Sequence, residues 1–228
     1  MANVVITGAN RGVGLALVRQ YMDAGDTVFA LCRNPAQADK LQALAAGSGG
    51  RVGIGSIDIG DPTSIEAAAK KFEGPLDMLI NNAGILGGAH QSIDDINFDE
   101  WMNAFKVMTI GPFRVTRVFL PHLALAKGKV LFVTSQVSAS TWPYGGYYGY
   151  SSAKAAGNRV VQILAIDLRG KGVSVASVHP GYVKTDMGGP NAEITPAESA
   201  AGIYQVMANL NLESSGGFFK WNGEPHPL

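Results

Sequence analysis

Short runs of consecutive apolar residues recur along this chain, each followed by a longer stretch of helical periodicity. That alternation restricts the fold more than any other feature. The runs are Val4 to Thr7, Thr27 to Leu31, Val52 to Ile57, Met78 to Ile80, Val130 to Thr134, Val173 to Val178 and Gly217 to Trp221. Most do not alternate apolar with polar, as expected of strands covered on both faces. Helical patterns lie between them, around 13–24, 36–46, 63–73, 99–126, 148–170 and 197–209. Asp61-Pro62 and Thr195-Pro196 each offer an N-cap followed by proline at the first helical position. Repeated β-α-β units fold as a parallel sheet with helices on both faces. No Pro- or Ser-rich linker divides the chain, so residues 1–228 are expected to form one doubly wound α/β domain.

Composition narrows the partners. Lys+Arg and Asp+Glu number 18 each, so net charge is zero, which argues against nucleic acid or an anionic membrane as partner. No apolar run is long enough to span a bilayer. Met1 to Thr7 reads as a first strand, not a signal peptide, and the single Cys32 has no partner for an intrachain disulfide. A cytoplasmic location is expected.

The first strand runs into Thr7-Gly8-Ala9-Asn10-Arg11-Gly12-Val13-Gly14, and a helix follows. Glycines at 8, 12 and 14 permit a tight turn, close approach to a pyrophosphate, and close packing of helix on strand. The helix N-terminus supplies free N–H groups and a partial positive charge to phosphates. A glycine triplet also suits a turn that binds nothing, but this one occupies the first β-α turn, where a Rossmann-type sheet binds a dinucleotide. The second strand ends in Leu31-Cys32-Arg33, where an NAD site usually places a carboxylate for the ribose 2′-hydroxyl. Arg33, with Arg11 inside the loop, suits a 2′-phosphate instead. NADP(H) is therefore favoured, with NAD(H) also possible; the alternative for each arginine is a solvated surface charge.

Tyr150 and Lys154 stand four residues apart, on one face of a helix. A lysine charge beside a phenol favours the phenolate and brings proton transfer into range. By itself the pair is a weak signal. Taken with the Thr7–Gly14 loop, Asp58 after the third strand, Asn81-Asn82-Ala83-Gly84 after the fourth, Ser135 after the fifth and Pro180-Gly181-Tyr182-Val183-Lys184-Thr185 after the sixth, it resembles the short-chain dehydrogenase/reductase family. The segment His179-Pro180-Gly181, with Thr185 to Asn191, is similar to the small carbonyl-reductase-like branch that includes the C-factor proteins.

The resemblance implies roles. Tyr150 is the general acid in carbonyl reduction and the base in reverse. Lys154 lowers its pKa and holds the nicotinamide ribose. Ser135 hydrogen-bonds the substrate oxygen as charge develops there. Asp58 and Ile59 border the adenine, Asn82, Ala83 and Gly84 border the cofactor, and Pro180, Gly181, Val183 and Thr185 line the nicotinamide. Family members pair through two long central helices, here 99–126 and 148–170, which implies a homodimer or homotetramer.

Several residues carry a second reading. Ser138 rivals Ser135 by its distance from Tyr150, although Ser135 directly follows the strand. Tyr147 and Tyr148 have no lysine four residues on and read as packing or pocket-lining groups. Asp58 also suits a plain turn. His179 has no partner at metal-ligand spacing, so it reads as structural and no metal site is expected. The stretch from Thr185 to Thr195 is short, which suggests an open substrate site. Trp142 to Tyr148 offers an aromatic wall for apolar or aromatic ketones and aldehydes, or ordinary loop packing.

One position departs from the family pattern. Three residues before a glycine in the long central helix the family carries an asparagine that fixes a proton-relaying water. Here that position, before Gly111, holds Met108. A thioether donates no hydrogen bond and accepts only weakly. Proton delivery can run through waters held by backbone carbonyls, or turnover is weakened. A third reading is a C-factor-type regulatory protein that binds NAD(P) with little catalysis.

Overall fold

The computed structural model describes residues 1–88 and 90–228. All seven apolar runs form strands of one sheet. They are β1 (Asn3–Thr7), β2 (Thr27–Cys32), β3 (Val52–Ser56), β4 (Met78–Asn81), β7 (Lys129–Val133), β8 (Ser174–His179) and β9 (Phe218–Lys220). A two-residue hairpin, β5 (Gln91–Ser92) with β6 (Asp95–Ile96), lies outside that sheet and was not foreseen. Strand order is β3-β2-β1-β4-β7-β8-β9, every pair parallel. The order reverses between β1 and β4, the crevice where doubly wound sheets bind ligands.

Helices α1 (Gly12–Asp23), α2 (Asp39–Ala46) and α7 (Pro196–Asn209) cover one face; α3 (Pro62–Ala69), α5 (Gly111–Ala126) and α6 (Tyr148–Leu168) cover the other. Side chains alternate across each central strand, so the two faces draw different residues from one run. Val130 and Phe132 of β7 pack with Phe119 and Val161, while Leu131 and Val133 join Leu17, Ile203 and the other core. Both expected proline starts are capped. The Asp61 carboxylate accepts from the Thr63 amide at 3.0 Å, and Thr195 with Glu198 forms a reciprocal capping box. Among the described residues no helix is long and apolar enough to cross a membrane.

The long central helix differs from expectation. It is α4 (Phe98–Phe105), a π turn over Lys106–Ile110, and then α5, which opens on Gly111-Pro112. Proline lacks the N–H that would continue the α ladder, and a π turn is a frequent answer near functional sites. Met108 sits within it. The segment expected to be helical from residue 36 also divides, with a short 3-10 turn over Pro35–Gln37 before α2 begins at Asp39.

Candidate active site

Backbone builds the nucleotide side of the crevice. Gly8 and Gly12 have φ of +66° and +53°, in the left-handed region that favours glycine. Side chains are excluded as well as strained: a Cβ on Gly8 would stand 2.7 Å from the Ala83 Cα, and one on Gly14 only 2.1 Å from the Gly8 carbonyl oxygen. Asn82 locks this turn from the neighbouring strand. Its Nδ2 donates to the carbonyls of Thr7 at 3.0 Å and Gly8 at 3.2 Å, while the Thr7 hydroxyl accepts from the amides of Asn82 and Ala83, each at 3.1 Å. The resemblance makes Asn82 a cofactor neighbour; its side chain also holds the loop in shape. Asn10 and Val13 complete the turn, half-buried.

Farther along the crevice, Asp58 organises a turn: its Oδ1 accepts from the Gly60 amide at 2.8 Å, and its own amide donates to Ser64 Oγ at 2.8 Å. That bears on the plain reading of Asp58 while leaving its second oxygen unspent. Ile59 is buried beside it. Arg33 is exposed at the end of β2. Arg11 meets a carboxylate, its Nη1 standing 3.1 Å from Asp186 Oδ2 with both side chains exposed. This pair joins the glycine loop to the segment after β8, an arrangement the sequence did not suggest. Thr185 lies against the same loop, since a Cβ on Gly12 would be 3.2 Å from its Cγ2.

Pro180 and Gly181 follow β8 directly. The Pro180 carbonyl accepts from Ser199 Oγ at 2.6 Å, and Gly181 has a φ of +90°. Val183 is buried and pairs with Ile194, so the segment leaves the sheet, turns and returns to the start of α7.

Side chains build the reacting side. Lys154 is buried, and its Nζ donates to the Val133 carbonyl at the end of β7, at 2.6 Å. The same Nζ stands 5.8 Å from the centre of the Tyr150 ring. Ser135 follows β7 directly, its Oγ accepting from the Val137 amide at 3.4 Å, and it is the polar side chain that bears on the Tyr150 phenol. The rival Ser138 is committed elsewhere: its hydroxyl donates to the Ser135 carbonyl at 2.5 Å and accepts from Asn158 Nδ2 at 2.9 Å.

Electrostatics here differ from the expectation drawn from the resemblance. Burial pushes the Tyr150 phenol up, and the bond from Ser135 pulls it down. Burial also lowers Lys154, to about 8. Desolvation disfavours the charged form of either group and so acts in opposite directions on the two. In the protein alone the tempering of Tyr150 comes from Ser135.

Met108 is buried with Ala104, Ala153 and Tyr150. A Cβ on Gly84 would meet Lys154 Nζ at 3.5 Å and Met108 Sδ at 3.8 Å, so the thioether and the ammonium border the same glycine. Of the polar neighbours, Asn103 is exposed and the Thr109 hydroxyl donates to the Ala153 carbonyl at 2.8 Å. Tyr147, left-handed at φ +53°, and Tyr144 are exposed, Trp142 packs edge-on against Tyr144, and Tyr148 leans on Trp101. His179 is buried and its Nδ1 has no partner in the structure.

A residue missed by sequence reading, Gln91, holds the start of α6: its Oε1 accepts from the Tyr150 amide at 3.1 Å. Nothing in its sequence neighbourhood marks it. A buried glutamine far from any motif gives no local signal.

With a doubly wound sheet, a glycine cradle at its switch point and a tyrosine and lysine one helical turn apart, the architecture is that of a nucleotide-dependent oxidoreductase. The chain belongs to the short chain dehydrogenase family, whose pattern it matches over residues 2–195. It is 40% identical over 156 residues to C-signal of Myxococcus xanthus, covering 68% of this chain and 93% of that protein. Among solved structures it resembles an NADPH-bound carbonyl reductase from chicken fatty liver, with TM-score 0.92 and 32% identity over 100% of this chain and 99% of the other. The carbonyl reductase Sniffer of D. melanogaster superposes with TM-score 0.94 and 28% identity over 100% of both. The protein is therefore a short-chain dehydrogenase/reductase of the carbonyl-reductase and C-factor-like branch.

Proposed function

We propose that the protein is an NADP(H)-dependent carbonyl reductase, interconverting a ketone or aldehyde with its alcohol, and that Ser135, Tyr150 and Lys154 do the proton chemistry. The observation that carries this is the placing of Lys154 Nζ 5.8 Å from the Tyr150 ring, beside a glycine cradle that admits no Cβ, with Ser135 bearing on the phenol.

The cradle fits a dinucleotide. Backbone at Thr7, Gly8, Asn10, Gly12, Val13 and Gly14 would face the pyrophosphate, and Asp58 and Ile59 the adenine. Ala83, Gly84, Pro180, Gly181, Val183 and Thr185 would border the nicotinamide half. Arg33 is the reader of a 2′-phosphate, joined by Arg11 once that guanidinium leaves Asp186. The bound nicotinamide supplies or accepts the hydride.

Tyr150 protonates the substrate oxygen in reduction and takes the proton back in oxidation. Ser135 holds that oxygen through the same hydroxyl that tempers the phenol. Lys154, fixed to the Val133 carbonyl, keeps a cation near the ring and returns the proton, with backbone carbonyls in place of the missing asparagine. Residues 1–228 would act as one nucleotide-binding domain carrying its own catalytic groups. Exposed Ile110 and Phe113 at the start of α5, with Ile163 and Ile166 on α6, support pairing of copies through these helices as homodimers or homotetramers. The exposed aromatic stretch Trp142 to Tyr148 supports apolar or aromatic substrates.

A second reading rests on Met108: a C-factor-type regulatory protein that binds NAD(P) and turns over little. A panel of ketones and aldehydes run with NADPH and with NADH separates the two. The enzyme reading expects NADPH oxidation with several carbonyls, abolished by Tyr150→Phe while nucleotide binding persists. Tight binding with no turnover of any carbonyl by the unmutated protein would establish the regulatory reading instead.

A further inference from the structure

We propose that Gln91 is a positioning residue for Tyr150, fixing the start of α6 against the loop that follows the Asn81-Asn82-Ala83-Gly84 motif. The inference rests on the reading of Tyr150 as the proton donor.

The first turn of any helix leaves its amides without intrahelical partners, and a side chain just before it usually supplies an acceptor. Here α6 lacks that device. Its capping position is Tyr147, in the left-handed region, and no side chain there accepts from the helix. The first turn is held by distant groups. Gln91 Oε1 accepts from the Tyr150 amide across 59 positions of sequence, at 3.1 Å. The other end of the same amide group donates from Nε2 to the Leu86 carbonyl at 2.9 Å and the Gly88 carbonyl at 3.0 Å. Two further ties flank it, Ser151 Oγ donating to the Val137 carbonyl at 2.6 Å and Trp101 Nε1 to Ser152 Oγ at 2.8 Å.

Only a carboxamide does both jobs in this place. Its oxygen presents negative charge to the positive end of a helix, while its nitrogen satisfies two carbonyls of the loop. Gln91 is buried, so each of these bonds forms where water competes poorly. The consequence is a direct link between the loop that follows Gly84 and the Tyr150 amide, one bond from the Cα that carries the tyrosine side chain. Displacing a reacting group by about 1 Å costs on the order of a hundredfold in rate, so a residue that fixes the tyrosine's own amide acts on turnover without touching substrate.

The test compares the unmutated protein with Gln91→Met, similar in length but with no hydrogen-bonding amide, and Gln91→Glu, which keeps the acceptor. Steady-state kinetics are read alongside NADPH affinity and hydrogen exchange of the Tyr150 amide in the protein without cofactor. Gln91→Met is expected to lower kcat about tenfold or more with NADPH affinity within about twofold. Its Tyr150 amide should exchange at least about tenfold faster, and Gln91→Glu should keep that amide protected. Unchanged exchange at Tyr150 in Gln91→Met, or a kcat within about twofold of the parent, overturns the proposal. If Gln91→Met does not fold, Gln91→Ala is read by the same two criteria. Loss of the catalytic reading has a separate signature: full turnover in Tyr150→Phe removes that reading, while the exchange measurement still decides whether Gln91 holds the amide.

Discussion

The two banks of the crevice are built from different materials. On the nucleotide bank the working surface is backbone: glycines at 8, 12 and 14, shaped by φ and by the space that an absent Cβ leaves, locked by Thr7 and Asn82. On the reacting bank it is side chain: Tyr150, Lys154 and Ser135, drawn from α6 and the end of β7, with Gln91 reaching in from a hairpin outside the sheet. Backbone carries no titratable group, so the glycine cradle itself is intolerant of volume rather than sensitive to charge. The second bank tolerates some change of volume but holds buried ionisable groups whose charge depends on pH.

Volume should break the nucleotide bank first. Gly14→Ala puts a methyl 2.1 Å from the Gly8 carbonyl oxygen and 2.5 Å from Asn82 Nδ2. The turn must open, and the expectation is loss of measurable NADPH binding with a destabilisation of about 3 kcal/mol or more. Nucleotide titration with a thermal melt checks it, and tight binding by the variant would show that the cradle is not where the phosphates sit.

Acid should act at a buried histidine at the end of β8, His179. Burial, with His226 and Lys220 nearby, lowers His179 from 6.5 to about 4. The unfolded chain therefore binds the proton before the folded one does, so this residue's contribution is complete above pH about 6.5 and is lost as pH falls toward 4. The loss is on the order of 3 kcal/mol across that window. Melts of the protein and of His179→Gln across the same range test it; the variant should show a flatter pH dependence.

A smaller effect sharpens the comparison on the nucleotide bank. Arg33→Ser should reduce kcat/KM with NADPH about tenfold and leave NADH nearly unchanged, as removal of a charge-assisted contact to one phosphate predicts. Equal losses with both nucleotides would assign Arg33 to general structure. The smallest effect belongs to Met108, buried beside Tyr150 and bordering Gly84 with the lysine. Met108→Asn should raise kcat by a few-fold, because an amide in that place can hold a relay water where a thioether cannot. An unchanged or lower kcat would count against the relay argument.

Much of the first bank was legible from the chain because its information is local. Strand β1, the glycine spacing and α1 are contiguous, and each glycine's role follows from sterics within a few residues. The alternation of apolar runs likewise marked all seven strands of the sheet, since a strand covered on both faces must be apolar throughout. Less was legible on the other bank. That Asn158 of α6 engages the Ser138 hydroxyl, the rival to Ser135, is visible only in the folded chain. The pairing of Arg11 with Asp186 joins positions 175 residues apart. The π turn at Lys106–Ile110 was not legible either, because 99–126 reads as one continuous helical stretch.

Sequence alone determined the sheet, its two helical layers, the cradle at the switch point and the spacing of Tyr150 and Lys154, because each depends on residues close together in the chain or on a repeated apolar period. Tertiary structure decided that Asn158 engages the Ser138 hydroxyl, that burial raises Tyr150 and lowers Lys154, and that a glutamine 59 positions away holds the tyrosine's amide. Desolvation and long-range hydrogen bonds are properties of what packs around a group, and no local pattern records them.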